Sequence, residues 1–221
     1  HILVFPGDDM TQIVANRDTA NTVKTLAEFD LTSEADKQKI SNFRLVPGTS
    51  KLYRSYHPFK KSRSQFDTED ARVAQVQTYM QEKGIQSVIT LYKDETATLD
   101  AAKNETISSY HQALIDAGHN LYLPDADYNT VYFNSDSAKF GGWIKQVVEF
   151  IISDANQAPV EIHCRLGTDR TGVFSAVIAS LMGASWNDIV SDYQSSNNMA
   201  IKEFRDYKLL KYSFEKMLKI D

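Results

Sequence analysis

The residue types best suited to chemistry gather in one short run, Glu161-Ile162-His163-Cys164-Arg165-Leu166-Gly167-Thr168-Asp169-Arg170-Thr171-Gly172. Cys164 is the only cysteine among 221 residues, which excludes a disulfide framework within the chain and a multi-cysteine zinc site. Its thiol is therefore either an inert buried group or a reagent. The segment Pro159 to Ile162 reads as a short strand leading into the run, and Thr171 to Leu181 reads as an apolar helix leading out. In an open α/β sheet such a strand-to-helix junction is where ligands bind. Loop N–H groups and the positive end of the helix dipole together form an anion cradle there, and phosphate is its natural occupant.

A thiol at the rim of that cradle ionises early, because helix N-termini and nearby arginines lower cysteine pKa values to roughly 3.5–7.5. Arg170 stands six residues after Cys164, far enough for the loop to curl so that its planar fork meets two phosphate oxygens. Gly167 lets the backbone approach a ligand closely. The Thr171 hydroxyl is near enough in sequence to hydrogen-bond the sulfur and to ease its departure from a covalent intermediate. His163 reads as an orienting partner of the loop, not as a base. Asp169 either tempers the positive potential of the loop or orders it, and Arg165 points to solvent or to substrate.

The string His163-Cys164, five residues, Arg170-Thr171-Gly172 resembles the signature of the cysteine-dependent protein tyrosine phosphatase superfamily. Other segments resemble its bacterial tyrosine phosphatase-like branch, which is related to dual-specificity and lipid phosphatases. Asn42-Phe43-Arg44 and Leu52-Tyr53-Arg54-Ser55 are similar to its opening strands, Gly84 to Ile89 to its first core strand, and Asp188 to Asn197 to the helix after the signature. The resemblance covers roughly residues 42–200. Two departures stand out: Asn42-Phe43-Arg44 lacks the Asp-Leu-Gly that often follows, and Thr168 replaces a Lys frequent in lipid-acting members.

The resemblance implies hydrolysis of phosphate monoesters through a phosphocysteine, with an Asp protonating the leaving oxygen and then activating water. That Asp belongs to Leu123-Pro124-Asp125-Ala126-Asp127-Tyr128-Asn129, where the family-like Pro-x-x-Asp spacing favours Asp127 over Asp125. The implied catalytic set is Cys164, Arg170 and Asp127. Arg165, Leu166, Gly167, Thr168, Asp169 and Arg170 form the phosphate-binding loop, supported by His163 and Thr171. Protein phosphotyrosine, extended to phosphoserine or phosphothreonine under dual specificity, is the first implied substrate, and an inositol phosphate or phosphoinositide is the alternative. No metal or other cofactor is implied. A phosphate-binding pseudoenzyme fits less well, because the cysteine, the arginine and both acid candidates are present.

Composition sets the frame. The apolar share of 42% and charged share of 24% are those of a globular chain with a proper core. Twenty-four Lys and Arg against 29 Asp and Glu leave a net charge of −5, which argues against duplex nucleic acid as a partner and makes phosphate recognition local. No run of 18 apolar residues occurs, so no membrane-spanning helix is expected. The sequence begins at His1, not Met, so it is expected to start after a cleavage or boundary that removed any targeting segment, and the compartment stays open.

Residues 1–40 read as an extension packed over a phosphatase domain at residues 41–221. Asn42 to Ser55 reads as strand, turn and strand around Pro47-Gly48, and Glu69 to Met80 as a helix with Thr68 ahead as N-cap and Gly84 behind. Ile85 to Leu91 has the β-branched content of a buried parallel strand. Thr96 to Ala117 reads as helix, Leu121 to Leu123 as a short strand, and Ser135 to Ile152 as a helix with Phe140, Trp143, Ile144, Val147, Phe150 and Ile151 on one stripe. Trp186 to Tyr193 and Ile201 to Leu218 complete the helices. Alternating strands and helices predict an α/β fold with a central, mostly parallel sheet of four or five strands flanked by helices on both faces. The basic residues Arg54, Lys60, Lys61 and Arg63 read as a solvated face, with steering of anionic substrate as the sharper alternative.

Overall fold

The β-branched sequence around Val88 and Ile89 suits a strand buried on both sides, and the architecture grows from such strands. The computed structural model describes residues 22–91 and 106–219. Its described strands are β1 (Arg44–Leu45), β2 (Leu52–Ser55), β3 (Ser87–Thr90), β4 (Asn120–Tyr122) and β5 (Val160–His163), in the spatial order β1-β2-β5-β3-β4. Central β5 pairs in parallel with both β2 and β3, β4 runs parallel to β3, and β1 pairs antiparallel with β2. The expected α/β fold, a mostly parallel sheet flanked by helices, is the one observed.

The described helices are α1 (Glu34–Ser41), α2 (Glu69–Glu82), α3 (Ser109–Asp116), α4 (Tyr128–Phe133), α5 (Ala138–Ile152), α6 (Arg170–Leu181), α7 (Trp186–Ser195) and α8 (Tyr207–Leu218). Successive strand residues face opposite sides of a sheet, and the core divides accordingly. Val88 joins Val73, Val76 and Met80 of α2, whereas Ile89 joins Trp143 and Val147 of α5 and Phe174 of α6. Helices therefore cover both faces. Phe174 anchors the larger cluster, with the rings of Phe140 and Trp143 at 5.7 and 6.5 Å. The α5 stripe packs as its periodicity requires, and Ser137 caps it by accepting from the Phe140 N–H at 3.2 Å.

Two local readings need correction. Thr68 occupies the position before α2 but makes no side-chain cap hydrogen bond. The last helix begins at Tyr207, not near Ile201, because the Asp206 side chain accepts from the Lys208 N–H at 2.9 Å and stops the helix there. Residues Ala200 and Lys202, with φ of 52° and 81°, instead turn the chain into an extended segment ending at Asp206. Leu218, which closes that helix, is exposed. Of the expected helix Thr96 to Ala117, the part before residue 106 lies outside the described residues, and so do residues 1–21 of the expected extension. Its described remainder is tied down by the Lys24 N–H donating to the Ala200 carbonyl and by buried Phe29 beneath the Arg72 guanidinium. Among the described residues no helix is long and apolar enough to cross a membrane.

Candidate active site

The carboxyl ends of three parallel strands meet where Ser55, Thr90 and His163 stand level with one another. Fully buried His163 ends β5, and its Nδ1 lies 3.1 Å from the Cys164 carbonyl oxygen. A carbonyl only accepts, so Nδ1 carries the hydrogen. Nε2, at 2.9 Å from the Thr90 hydroxyl, is then the acceptor. Burial, with His57 adding, holds the ring well below the usual histidine range, so this neutral tautomer is fixed. His163 thus holds the first peptide of the loop.

The loop from Cys164 to Asp169 leads directly into α6. Gly167 is its pivot. Its φ of +74° lies in the left-handed region, and a Cβ there would stand 2.1 Å from the Ser55 carbonyl oxygen. Among the described residues, no acceptor takes the backbone N–H groups of Arg165, Leu166, Gly167 or Thr168. Consecutive N–H groups left free beside the first turn of a helix form a concave anion-binding surface.

Cys164 is 2% exposed and lies in a cleft of about 310 Å³ whose walls include Arg63, Arg165, Arg170, Glu203 and Arg205. Burial pushes its thiol up, but the Arg170 guanidinium and hydrogen bonds from the Thr171 hydroxyl and N–H outweigh this, leaving the pKa below the ordinary thiol value. The Thr171 hydroxyl is buried with no hydrogen-bond partner of ordinary geometry among the described residues, and it acts on the Cys164 sulfur by favouring the thiolate. Arg170 Nη1 donates to the Ala126 carbonyl at 3.3 Å, joining the loop to the Asp125–Asp127 segment. The arrangement can hold an oxyanion against a thiolate.

The remaining predicted residues fall in distinct places. Arg165 is exposed at the cleft, while Leu166 and Thr168 are buried. Asp169 accepts from Arg205 Nε at 2.6 Å, Arg205 Nη2 at 2.9 Å and the Tyr132 hydroxyl at 2.6 Å, so it orders the loop against α4 and the segment before α8. Asp127 caps α4, its two oxygens taking the Thr130 N–H at 2.8 Å and the Thr130 hydroxyl at 2.7 Å, and it does not line the cleft. Asp125 is exposed and does not line it either.

The basic residues before α2 are not a solvated face. Arg54 is fully buried, Lys61 pairs with Asp70 at 2.7 Å, and Arg63 pairs with Glu203 at the cleft. Glu203 and Arg205 escaped the sequence reading because they were assigned to a helix. Asp206 as a cap before Tyr207 was the signal that would have released them to the cleft.

Among solved structures, the chain is similar to the core catalytic domain of the PP-IP phosphatase SIW14 from S. cerevisiae in complex with citrate, with 17% identity, 81% of this chain and 93% of that chain covered, and a TM-score of 0.43. A second structure of the Siw14 catalytic core gives 16% identity, coverages of 77% and 88%, and a TM-score of 0.42. No curated protein matches the sequence. The model of the tyrosine phosphatase family matches residues 15–220, nearly the whole chain, so the protein belongs to the tyrosine phosphatase family and is a cysteine-dependent phosphatase.

Proposed function

We propose that the protein hydrolyses phosphate monoesters through a phosphocysteine on Cys164, with protein phosphotyrosine as the first substrate class. The observation that carries this reading is the buried Cys164 thiol, held below its ordinary pKa by Arg170 and Thr171 beside loop N–H groups that have no described acceptor. In the first step the thiolate sulfur bonds to phosphorus, the bond to the leaving oxygen breaks, and that oxygen takes a proton from Asp127. In the second, water attacks phosphorus, the sulfur leaves as thiolate stabilised by the Thr171 hydroxyl, and the proton of the water passes to Asp127. Arg170 and the loop N–H groups hold the equatorial oxygens throughout.

Asp127 is assigned with a structural consequence. Both its oxygens cap α4, so it reaches the leaving group only by letting go of Thr130. An inositol phosphate is the second reading, supported by four guanidiniums in the cleft, from Arg63, Arg165, Arg170 and Arg205. Arg63 and Arg205 are each matched by a carboxylate, Glu203 and Asp169, which offsets part of the positive charge of the cleft and favours a substrate that carries a single phosphate. The test is phosphate release from a phosphotyrosine peptide and from inositol hexakisphosphate, with and without chelator, for intact protein and Cys164→Ser. Chelator-resistant release lost in the variant and faster from the peptide is expected. Faster release from the inositol ester overturns the ordering of substrates, and release by Cys164→Ser overturns the mechanism.

A further inference from the structure

Two loop carbonyls are gripped from behind. Asn42 Nδ2 donates to the Gly167 carbonyl at 3.1 Å and to the Leu166 carbonyl at 3.4 Å, and Arg54 Nη2 donates to the same Gly167 carbonyl at 2.6 Å. A trans peptide places its C=O and the following N–H on opposite sides. Holding the Leu166 and Gly167 oxygens on the Asn42 and Arg54 side therefore turns the Gly167 and Thr168 N–H groups the other way. Those are two of the N–H groups that have no described acceptor.

The grip is itself braced. Fully buried Arg54 donates through Nη1 to Asp192 Oδ2 at 2.6 Å, and Arg44 Nε takes the other oxygen of that carboxylate at 2.6 Å. Arg44 also donates to the Asp192 carbonyl at 2.7 Å, and both arginines reach the Ser196 hydroxyl. The two guanidiniums hold the Asp192 carboxyl below the usual range despite its burial, which pushes the other way. Buried ion pairs of this kind add little net stability compared with apolar packing, so their use beneath a loop is better explained by the geometry they impose.

We propose that Asn42 and Arg54 are positioning residues that aim the Gly167 and Thr168 N–H groups at the substrate phosphate, with Asp192 and Arg44 fixing the Arg54 fork. This rests on the reading of the loop as the phosphate site. Neither residue touches substrate; they act through the peptide planes of the loop.

Asn42→Gly is the cleaner variant, because Asn42 has a φ of 55°, which glycine adopts freely, and the change removes the amide while leaving the backbone. Arg54→Lys keeps the charge and removes the fork. Tungstate affinity by calorimetry, kcat and KM for p-nitrophenyl phosphate, and melting temperature would be measured for each. Both variants are expected to bind tungstate at least about tenfold more weakly and to lose kcat by about tenfold or more, part of the roughly 10²–10³-fold that outright loss of one oxyanion donor costs, because the N–H groups are misaimed and not removed. If Arg54→Lys does not fold, Asn42→Gly alone decides. Tungstate affinity and kcat equal to wild type, with only the melting temperature lowered, would overturn the proposal. A wild-type protein that binds tungstate without hydrolysing any ester would sink the catalytic reading instead, and the affinity comparison would still judge the positioning role.

Discussion

Cys164 is held between opposing influences, burial raising its pKa and Arg170 and Thr171 lowering it further. The pH dependence of its alkylation by iodoacetamide should therefore have a midpoint below the ordinary thiol value of 9.0, and Arg170→Gln should move that midpoint upward. A midpoint that ignores Arg170 would show that the guanidinium does not act on the sulfur. Asp127→Asn separates two roles of one side chain, since Asn caps a helix about as well as Asp but carries no acidic proton. The variant should keep its melting temperature and lose turnover by about 10²-fold on phenolic esters with poor leaving groups, with a smaller loss on activated ones. The same pattern from Asp125→Asn would transfer the assignment. The proposed chemistry at this scale was legible because Cys164, Gly167, Arg170 and Thr171 sit within eight consecutive residues, so spacing alone constrains their geometry. The grip of Asn42 and Arg54 on the loop and the place of Glu203 at the cleft were not legible, because their partners lie 113 to 140 positions away.

The loop between β5 and α6 is the element on which the proposed function turns, and Gly167 is its tightest point. Gly167→Ala forces a Cβ to 2.1 Å from the Ser55 carbonyl and a side chain into the left-handed region, so the loop must move. Activity should fall by about 10²-fold or more while the remainder of the fold, built on other contacts, survives; circular dichroism and phosphate release together check this. Near-normal turnover would mean that the loop conformation is not the catalytic one. Elements with strong local signals matched their sequence patterns. The α5 stripe and β3 are set by periodicity and β-branching, whereas the start of α8 depended on a single capping residue, Asp206, competing with an apolar pattern that runs on through Phe204. Likewise, the basic character of Arg54 suggested solvent, but the carboxylate of Asp192 that allows its burial comes from α7, across the fold.

Across the molecule, one buried acid makes stability depend on pH. Glu161, on central β5, is fully buried and its carboxyl is pushed up to about 8 by burial, against the Ser55 hydrogen bond and with the Cys164 charge adding to the rise. The unfolded chain releases this proton near 4.5, so between those values the native state holds one proton more. The stability this group confers is fully present below about 4.5 and is lost as pH rises through about 8. Urea unfolding of Glu161→Gln against wild type should show wild type losing relative stability over that window, by at most several kcal/mol, since one pKa unit is about 1.4 kcal/mol. A constant difference would place a charged Glu161 in the core. The fold as a whole was legible because alternating strand and helix signals permit few arrangements, while the sheet order, with β5 between β2 and β3, became visible only in three dimensions. The central claim is a phosphoryl group on Cys164. Acid quenching during turnover of a phosphotyrosine peptide, followed by peptide mass mapping, tests it most directly: a phosphoryl mass increment on the Cys164 peptide, absent in Cys164→Ser, is predicted, and turnover with the increment on another residue or on none would contradict it.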